Sequence, residues 1–386
     1  MNNDFLVFGS PAIGDEEIDE VVDSLRSGWL GTGPKVAKFE EMFKEYTGAK
    51  HAVAMNSCTA GLHLALIAAG IGTGDEVITS PMTFAATGNV ILHSGASPVF
   101  VDIDRETMNM APGLIEEKIT PRTKAILPVH FAGRPCDMES IMEIAKRHDL
   151  TVIEDAAHAV ETRYHGKKIG TIGDITSFSF YVNKNLCTGE GGMLTTDNDE
   201  WADAFRIMRL HGISKDAWKR YSKDGFKHYE VLIPGFKYNM MDIQAAMGIH
   251  QLSKVERFLK RRNEIWEHYD RHLSALPFIT PSPQENSTRH ARHLYTLLVK
   301  ADELKMTRNE FQERLYQQNI GTGIHFYALH LHHYYQKSLG YKRGDFPVAE
   351  DISDTTISLP LSPKLSDEDV GRVIDAVNRI VGQERQ

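Results

Sequence analysis

The sequence predicts an α/β fold: a large, mainly parallel sheet domain followed by a smaller α+β portion. Two observations carry this. Between His51 and about Thr196, short apolar runs of β-type residues alternate with longer stretches of helical periodicity. Repeated βα units of this kind build a parallel sheet with helices on both faces. In addition, the polar residues Asn56, His130 and Asp155 fall where the apolar runs end. Ligands on such sheets bind beyond the carboxyl ends of the strands.

The elements follow in order. His51-Ala-Val-Ala-Met-Asn56 reads as a strand, then a helix runs through Leu62, Leu66 and Ala69. Glu76-Val-Ile-Thr79 comes next, then a helix from Ala85 to His93 and the strand Pro98-Val-Phe-Val-Asp102. A helix around Leu114 to Ile119 leads to the strand Lys124 to His130. A helix from Met138 to Arg147 leads to Leu150-Thr-Val-Ile-Glu-Asp155. Past Thr196 the pattern is helical, over Trp201 to Leu210 and Met241 to about Leu276. The charged half of the second helix, with Lys254, Glu256, Arg257, Lys260, Arg261 and Arg262, reads as a solvated face. Pro277 to Arg289 reads as a connection. The strand His293 to Lys300, a helix from Arg308 to Gln318 and a C-terminal helix then form the smaller portion. The expected division is 1–250 and 251–386, with the long helix bridging the two.

Bulk properties exclude some classes. With 386 residues, 41% hydrophobic and 25% charged, the chain is long enough for two cores and too apolar for wholesale disorder. A net charge of −9 argues against non-specific nucleic-acid binding. Cys58, Cys136 and Cys187 lack metal-binding spacing and read as reduced thiols. The sequence has no run of 18 apolar residues and no charged leader with an apolar core, so a cytoplasmic protein without a membrane span is expected.

The most informative segment is Ser177-Phe-Ser-Phe-Tyr-Val-Asn-Lys184-Asn-Leu-Cys-Thr-Gly189-Glu-Gly-Gly192, a lysine between an apolar strand and a glycine-rich turn. A lysine amine on a tight loop and Asp155 at a strand end are what pyridoxal phosphate chemistry requires. The lysine forms a Schiff base with the cofactor aldehyde, and the acid keeps the pyridine nitrogen protonated. Asp155 also reads as a helix N-cap ahead of Ala156-Ala157-His158. Asn56-Ser-Cys-Thr-Ala-Gly61 opens a helix whose N–H groups and small hydroxyls suit a phosphate or form a plain cap. Phe84 is placed either to stack on the pyridine ring or to pack in the core. His158 reads as a contact to the ring or as a structural histidine. The stretch His325-Phe-Tyr-Ala-Leu-His330-Leu-His332-His333 lacks regular ligand spacing and a carboxylate or cysteine cluster, so no metal is expected.

Together with Gly28-Trp-Leu-Gly-Thr-Gly-Pro34 and Glu154-Asp-Ala-Ala-His158, these motifs resemble the DegT/DnrJ/EryC1/StrS nucleotide-sugar aminotransferases from about Phe8 to the C-terminus. Pro234-Gly-Phe-Lys-Tyr-Asn239 and Gly321-Thr-Gly-Ile-His325-Phe look closest to the branch that makes UDP-4-amino-4-deoxy-L-arabinose. The resemblance implies a fold-type I, aspartate aminotransferase-like protein with a seven-stranded type of sheet. The implied cofactor is pyridoxal 5′-phosphate, cycling through pyridoxamine 5′-phosphate. It also implies an L-glutamate donor yielding 2-oxoglutarate, a nucleotide-linked 4-keto sugar as acceptor, and a homodimer with shared active sites.

By the same resemblance Lys184 and Asp155 are catalytic, and Phe84 stacks on the ring. Cys58, Thr59 and Ser179 hold the phosphate, joined by Asn239 from a second subunit. His158 stands where relatives often have glutamine. Trp29, Thr32, His325 and Tyr327 line the nucleotide-sugar cleft. Two rival readings remain: a sugar dehydratase of the same family, whose members carry histidine at the lysine position, and a non-catalytic regulatory or binding protein that keeps the fold.

Overall fold

The computed structural model describes residues 4–214 and 229–384. Helices α1 (Asp15–Ser27) and α2 (Pro34–Thr47) precede the first βα units: β1 (His51–Met55), α3 (Cys58–Ala68), β2 (Glu76–Thr79), α4 (Ala85–His93) and β3 (Ser97–Phe100). Then come β4 (Thr123–Leu127), α5 (Met138–His148), β5 (Thr151–Asp155), and a small hairpin of β6 (Arg163–Tyr164) and β7 (Lys167–Lys168). β8 (Ile175–Ser179), β9 (Gly192–Thr196) and α6 (Asp199–Met208) complete this part.

Seven strands form the main sheet in the order β1-β9-β8-β5-β4-β2-β3. The β8-β5-β4-β2-β3 neighbours are parallel, and β9 alone runs antiparallel to its neighbours β1 and β8. The predicted mainly parallel sheet is therefore present. Side chains alternate between its faces, as the two-residue period of a strand demands. Ala52, Ile78, Ile126, Val152 and Phe178 pack under α2, α5 and the start of α7 (Asp242–Leu273). Val53, Val77, Leu127, Ile153 and Leu194 pack under α3, α4 and α6. Both faces are covered, which explains why the strands read as nearly continuous apolar runs.

α7 spans 32 residues. Ile249, Leu252 and Val255 belong to the core beneath the main sheet, whereas Ile265, Trp266, Tyr269 and Leu273 belong to a second core. That second core is built on β10 (Phe278–Ile279), β12 (Tyr295–Val299) and β13 (Thr356–Leu359), which form a three-stranded sheet. α9 (Arg308–Gln317) and α12 (Asp367–Glu384) also contribute to it. β11 (Thr288–Arg289) pairs with β6. The short helices α8 (Ala301–Leu304), α10 (His333–Leu339) and α11 (Pro347–Thr355) complete the chain. The division expected at 250/251 falls inside α7. At its N-terminus, Asp242 accepts the N–H groups of Gly33 (2.7 Å) and Val36 (3.0 Å), so one carboxylate caps α2 and fixes the crossing of the two helices.

Two expectations are corrected. The helix expected over Leu114 to Ile119 is a pair of 3₁₀ turns, Pro112–Leu114 and Glu116–Lys118. Proline at 121 drives the residue before it toward extended backbone, which leaves too few residues for an α-helix. The charged half of α7 is not uniformly solvated either: Arg262 is only 1% exposed. It is buried because a buried acid, Glu161, meets it from the turn after β5.

Packing of α7 on α2 leaves no room at Gly248, where a Cβ would lie 2.7–2.9 Å from the buried Phe39 ring. Gly371 in α12 has open space around its Cβ position. Gly248→Ala is expected to destabilise by about 1–2 kcal/mol, as overpacking outweighs helix propensity, and Gly371→Ala to stabilise by up to about 1 kcal/mol. Chemical denaturation of both variants checks this contrast; equal stabilisation would show that α2 yields freely.

Candidate active site

The site lies beyond the carboxyl ends of β5 and β8, as the strand-end rule requires. The loop bearing Lys184 is closed at its base, where Ser179 pairs with Gly192 across β8 and β9. Phe180 N–H donates to Gly191 O and Lys184 N–H to Tyr181 O, both at 2.9 Å. A Cβ on Gly192 would sit 2.5 Å from the Ser57 carbonyl carbon and 2.6 Å from Cys58 N. Only glycine allows β9 to press against the start of α3.

Lys184 Nζ has no hydrogen-bond partner among the described residues. Burial lowers its pKa to about 8, against the opposing pull of Asp155 and then Cys58. Asp155 is buried at the end of β5, where Oδ2 accepts the Thr87 hydroxyl (2.8 Å) and Oδ1 the Ala157 N–H (3.1 Å). It thus caps a turn rather than a helix. Burial raises its pKa, and these two bonds resist the shift. Thr83 and Thr87 share a 2.7 Å hydroxyl contact, which extends the chain behind the acid.

Around this pair the structure gathers most of the expected residues. Cys58 opens α3, but its thiol contacts Ser177 Oγ at 3.3 Å and burial pushes its pKa up. A neutral, inward-turned thiol offers an anion its backbone N–H rather than its sulfur. Thr59 is exposed beside it, and Ser57, the N-cap, accepts the Ala60 N–H. The first N–H groups of α3 are left for an anion. Ser179 is buried at the end of β8. Phe84 precedes α4 with 64% of its surface exposed, its ring 6.3 Å from that of Phe326. His158 is buried, stacks 6.0 Å from Phe326, and has its pKa held well below the usual value, first by burial and then by Lys184. His325 contacts Ser358 Oγ at 2.8 Å, and burial lowers its pKa to about 3.

Asn239 bridges Met55 at the end of β1. Asn239 Nδ2 donates to Thr32 Oγ1 (2.6 Å), and Thr32 Oγ1 donates to Met240 O (2.6 Å). Trp29 lies next to Gly33, 54% exposed. No hydrogen bond or ring contact among the described residues joins this set to Lys184 or His325. Tyr327 is exposed, with its ring against His332. In the histidine-rich stretch His330 is buried against Glu350 (2.9 Å). No group of three or more potential ligands among the described residues is arranged to hold a metal. All three cysteines are buried and unpaired, and no helix of the described residues is long and apolar enough to cross a membrane.

Residues 11–378 match the DegT/DnrJ/EryC1/StrS aminotransferase family. The chain belongs to that family. It is 55% identical over 381 residues to the spore coat polysaccharide biosynthesis protein SpsC of Bacillus subtilis, covering 98% of each chain. The PLP form of Spr1654 from Streptococcus pneumoniae superposes with a TM-score of 0.91 at 35% identity, covering 98% of this chain and 99% of the other. DesI, solved in the presence of its TDP-sugar product, gives a TM-score of 0.88 at 29% identity over 100% of this chain and 95% of its own. The chain is therefore a pyridoxal phosphate-dependent aminotransferase of the sugar aminotransferase family, with the fold of fold-type I.

The residues present fit that cofactor. An unpartnered lysine amine, a buried carboxylate coupled to it, uncommitted N–H groups at α3 and an exposed aromatic face supply one group for each part of the molecule. Sequence reasoning missed Thr87, Glu161, Asn185, Arg262 and His293. Thr83 and Thr87 are spaced i, i+4 and Asn185 adjoins Lys184, which are faint signals. Glu161, Arg262 and His293 gave none, since only the fold brings them together.

An amine with a pKa of about 8 is half neutral at that pH, whereas an ordinary lysine, at 10.5, is almost wholly protonated there. The rate at which cofactor-free protein takes up pyridoxal phosphate is expected to rise with pH through a midpoint near 8. Stopped-flow absorbance measures it, and a midpoint near 10 would refute the lowered pKa.

Proposed function

We propose that this aminotransferase moves the amino group of L-glutamate to the keto carbon of a nucleotide-linked 4-keto sugar, yielding 2-oxoglutarate and an amino-sugar nucleotide. The observation that carries the reading is the coupled pair of Lys184 and Asp155 at adjacent strand ends, within a chain of this family. The intact lysine also speaks against the dehydratase reading. DesI, crystallised with a TDP-sugar, and SpsC, a polysaccharide biosynthesis protein, support a nucleotide sugar as the acceptor.

When bound, pyridoxal phosphate supplies an aldehyde and a ring that accepts electrons from a substrate carbon. Asp155 keeps a proton on the ring nitrogen, its own raised pKa helping to share it, while Thr87 orients the carboxylate. The α3 N–H groups, Thr59 and Ser179 hold the phosphate. Lys184 Nζ anchors the cofactor and, once free, takes a proton from the α-carbon of the donor. In the second half it delivers a proton to the sugar carbon, so a single amine near neutral pKa serves as both base and acid.

Lys184→Ala is expected to lose all multiple turnover, and the wild-type protein to form an amino sugar from glutamate and one of a panel of UDP-, dTDP- and GDP-linked 4-keto sugars. Mass spectrometry of products checks both. Sustained turnover by the variant, or no product from any sugar, would sink the proposal.

We further propose a homodimer in which Trp29, Thr32 and Asn239 serve the partner's site. The exposed apolar side chains Leu30, Val231 and Leu232 support this. Refolding a mixture of Lys184→Ala and Asn239→Ala chains is expected to restore activity to about a quarter of wild type, the statistical yield of one intact composite site. Mixtures as inactive as their parents would overturn sharing.

A further inference from the structure

The second half of α7 carries His268-Tyr-Asp-Arg-His272. Histidines four residues apart rise from one face of a helix, a spacing at which two imidazoles can grip the same metal ion. Neither ring serves the second core, which Ile265, Trp266, Tyr269 and Leu273 supply from α7. Both histidines are exposed.

They line a groove of about 340 Å³ between α7 and α12. Its α12 wall includes Gly371, Asp375 and Asn378, again one face of a helix. Nothing lies within 4 Å of where a Cβ on Gly371 would be, which keeps that wall low. The two imidazole rings are nearly parallel, at 10°, with centroids 6.2 Å apart. His272 Nδ1 lies 2.8 Å from His268 O. A carbonyl only accepts, so Nδ1 donates and Nε2 of the neutral ring is bare. Metal-binding histidines give their other N–H to such a carbonyl, which orients the ring and leaves the opposite nitrogen for the ion. No described residue hydrogen-bonds His272 Nε2 or either ring nitrogen of His268.

The charges around the pair favour a cation. Arg261 also lines the groove, but Asp367 (2.6 Å) and Glu264 (3.2 Å) neutralise it. Asp375 has no ion-pair partner among the described residues, so negative charge is in surplus. Imidazole nitrogens select zinc, copper and nickel, whereas magnesium and calcium take oxygen ligands. No group of three or more protein ligands is arranged among the described residues. Water therefore completes the shell of an ion held here, as in an open site.

We propose that His268 and His272 chelate a divalent transition-metal ion of the zinc, copper and nickel class in this groove, the unpaired Asp375 carboxylate favouring it from α12. The ion lies against the C-terminal half of the helix that joins the two cores and takes no part in the chemistry at Lys184.

The test titrates tag-free, cofactor-loaded protein with Zn²⁺, Cu²⁺ and Mg²⁺ by calorimetry. Saturable uptake of Zn²⁺ and Cu²⁺ is expected, and the Cu²⁺ adduct should show hyperfine splitting from imidazole nitrogen in its electron paramagnetic resonance spectrum. His268→Ala and His272→Ala are each expected to weaken Zn²⁺ binding by at least about tenfold, since a chelate cut to one ligand loses the advantage of linkage. Both positions are exposed, and an unchanged cofactor absorbance checks that each variant is folded. A combined His332→Ala, His333→Ala variant removes the other adjacent exposed histidines and should bind Zn²⁺ as the wild type does. No saturable Zn²⁺ uptake, equal uptake of Mg²⁺, or undiminished affinity in the two α7 variants would each overturn the proposal. So would a loss of binding confined to the His332 and His333 variant.

Discussion

The ion pair between Arg262 and Glu161 is the constraint on which the site is built. Both side chains are essentially without solvent, at 1% and 0% exposure. Two charges taken out of water in this way add little to stability as a pair, but removing either one costs about 3–5 kcal/mol because the other is stranded. The pair therefore acts less as glue than as a rule of geometry. It ties α7 to the turn after β5, and the free oxygen of Glu161 takes the Asn185 amide. The residue next to Lys184 is thereby fixed from below, while the Ser179–Gly192 pairing closes its loop from the side.

Electrostatically, the pocket is arranged to keep positive charge scarce. His158, His293 and His325 all have their pKa values lowered, each first by burial. With three neutral imidazoles about it, Lys184 and the acid coupled to it are left to manage protons. Neutral imidazoles also serve better as hydrogen-bonding groups of defined polarity than as charges.

Much of this was legible in the sequence where the signal is local. The strand ending at Asp155, the lysine before a glycine-rich turn and the small-residue start of α3 are each contiguous, and short apolar runs alternating with helical periodicity gave the sheet and its helices. What was hidden depends on long-range pairing. Arg262 sits in a run of charges and looked solvated, since nothing local says that a buried acid 101 positions away will meet it. The antiparallel direction of β9 follows from the loop turning back on itself, which its composition does not announce.

α7 runs about 48 Å at 1.5 Å per residue, with its first half in one core and its second half in the other. A rod embedded at both ends leaves no flexible joint at the middle of the molecule. The C-terminal portion cannot melt alone without exposing the apolar side of a helix that the main sheet still holds. Loss of either core therefore strips one half of a helix whose other half the remaining core still holds. A break placed anywhere within those 32 residues divides a structural beam rather than a linker.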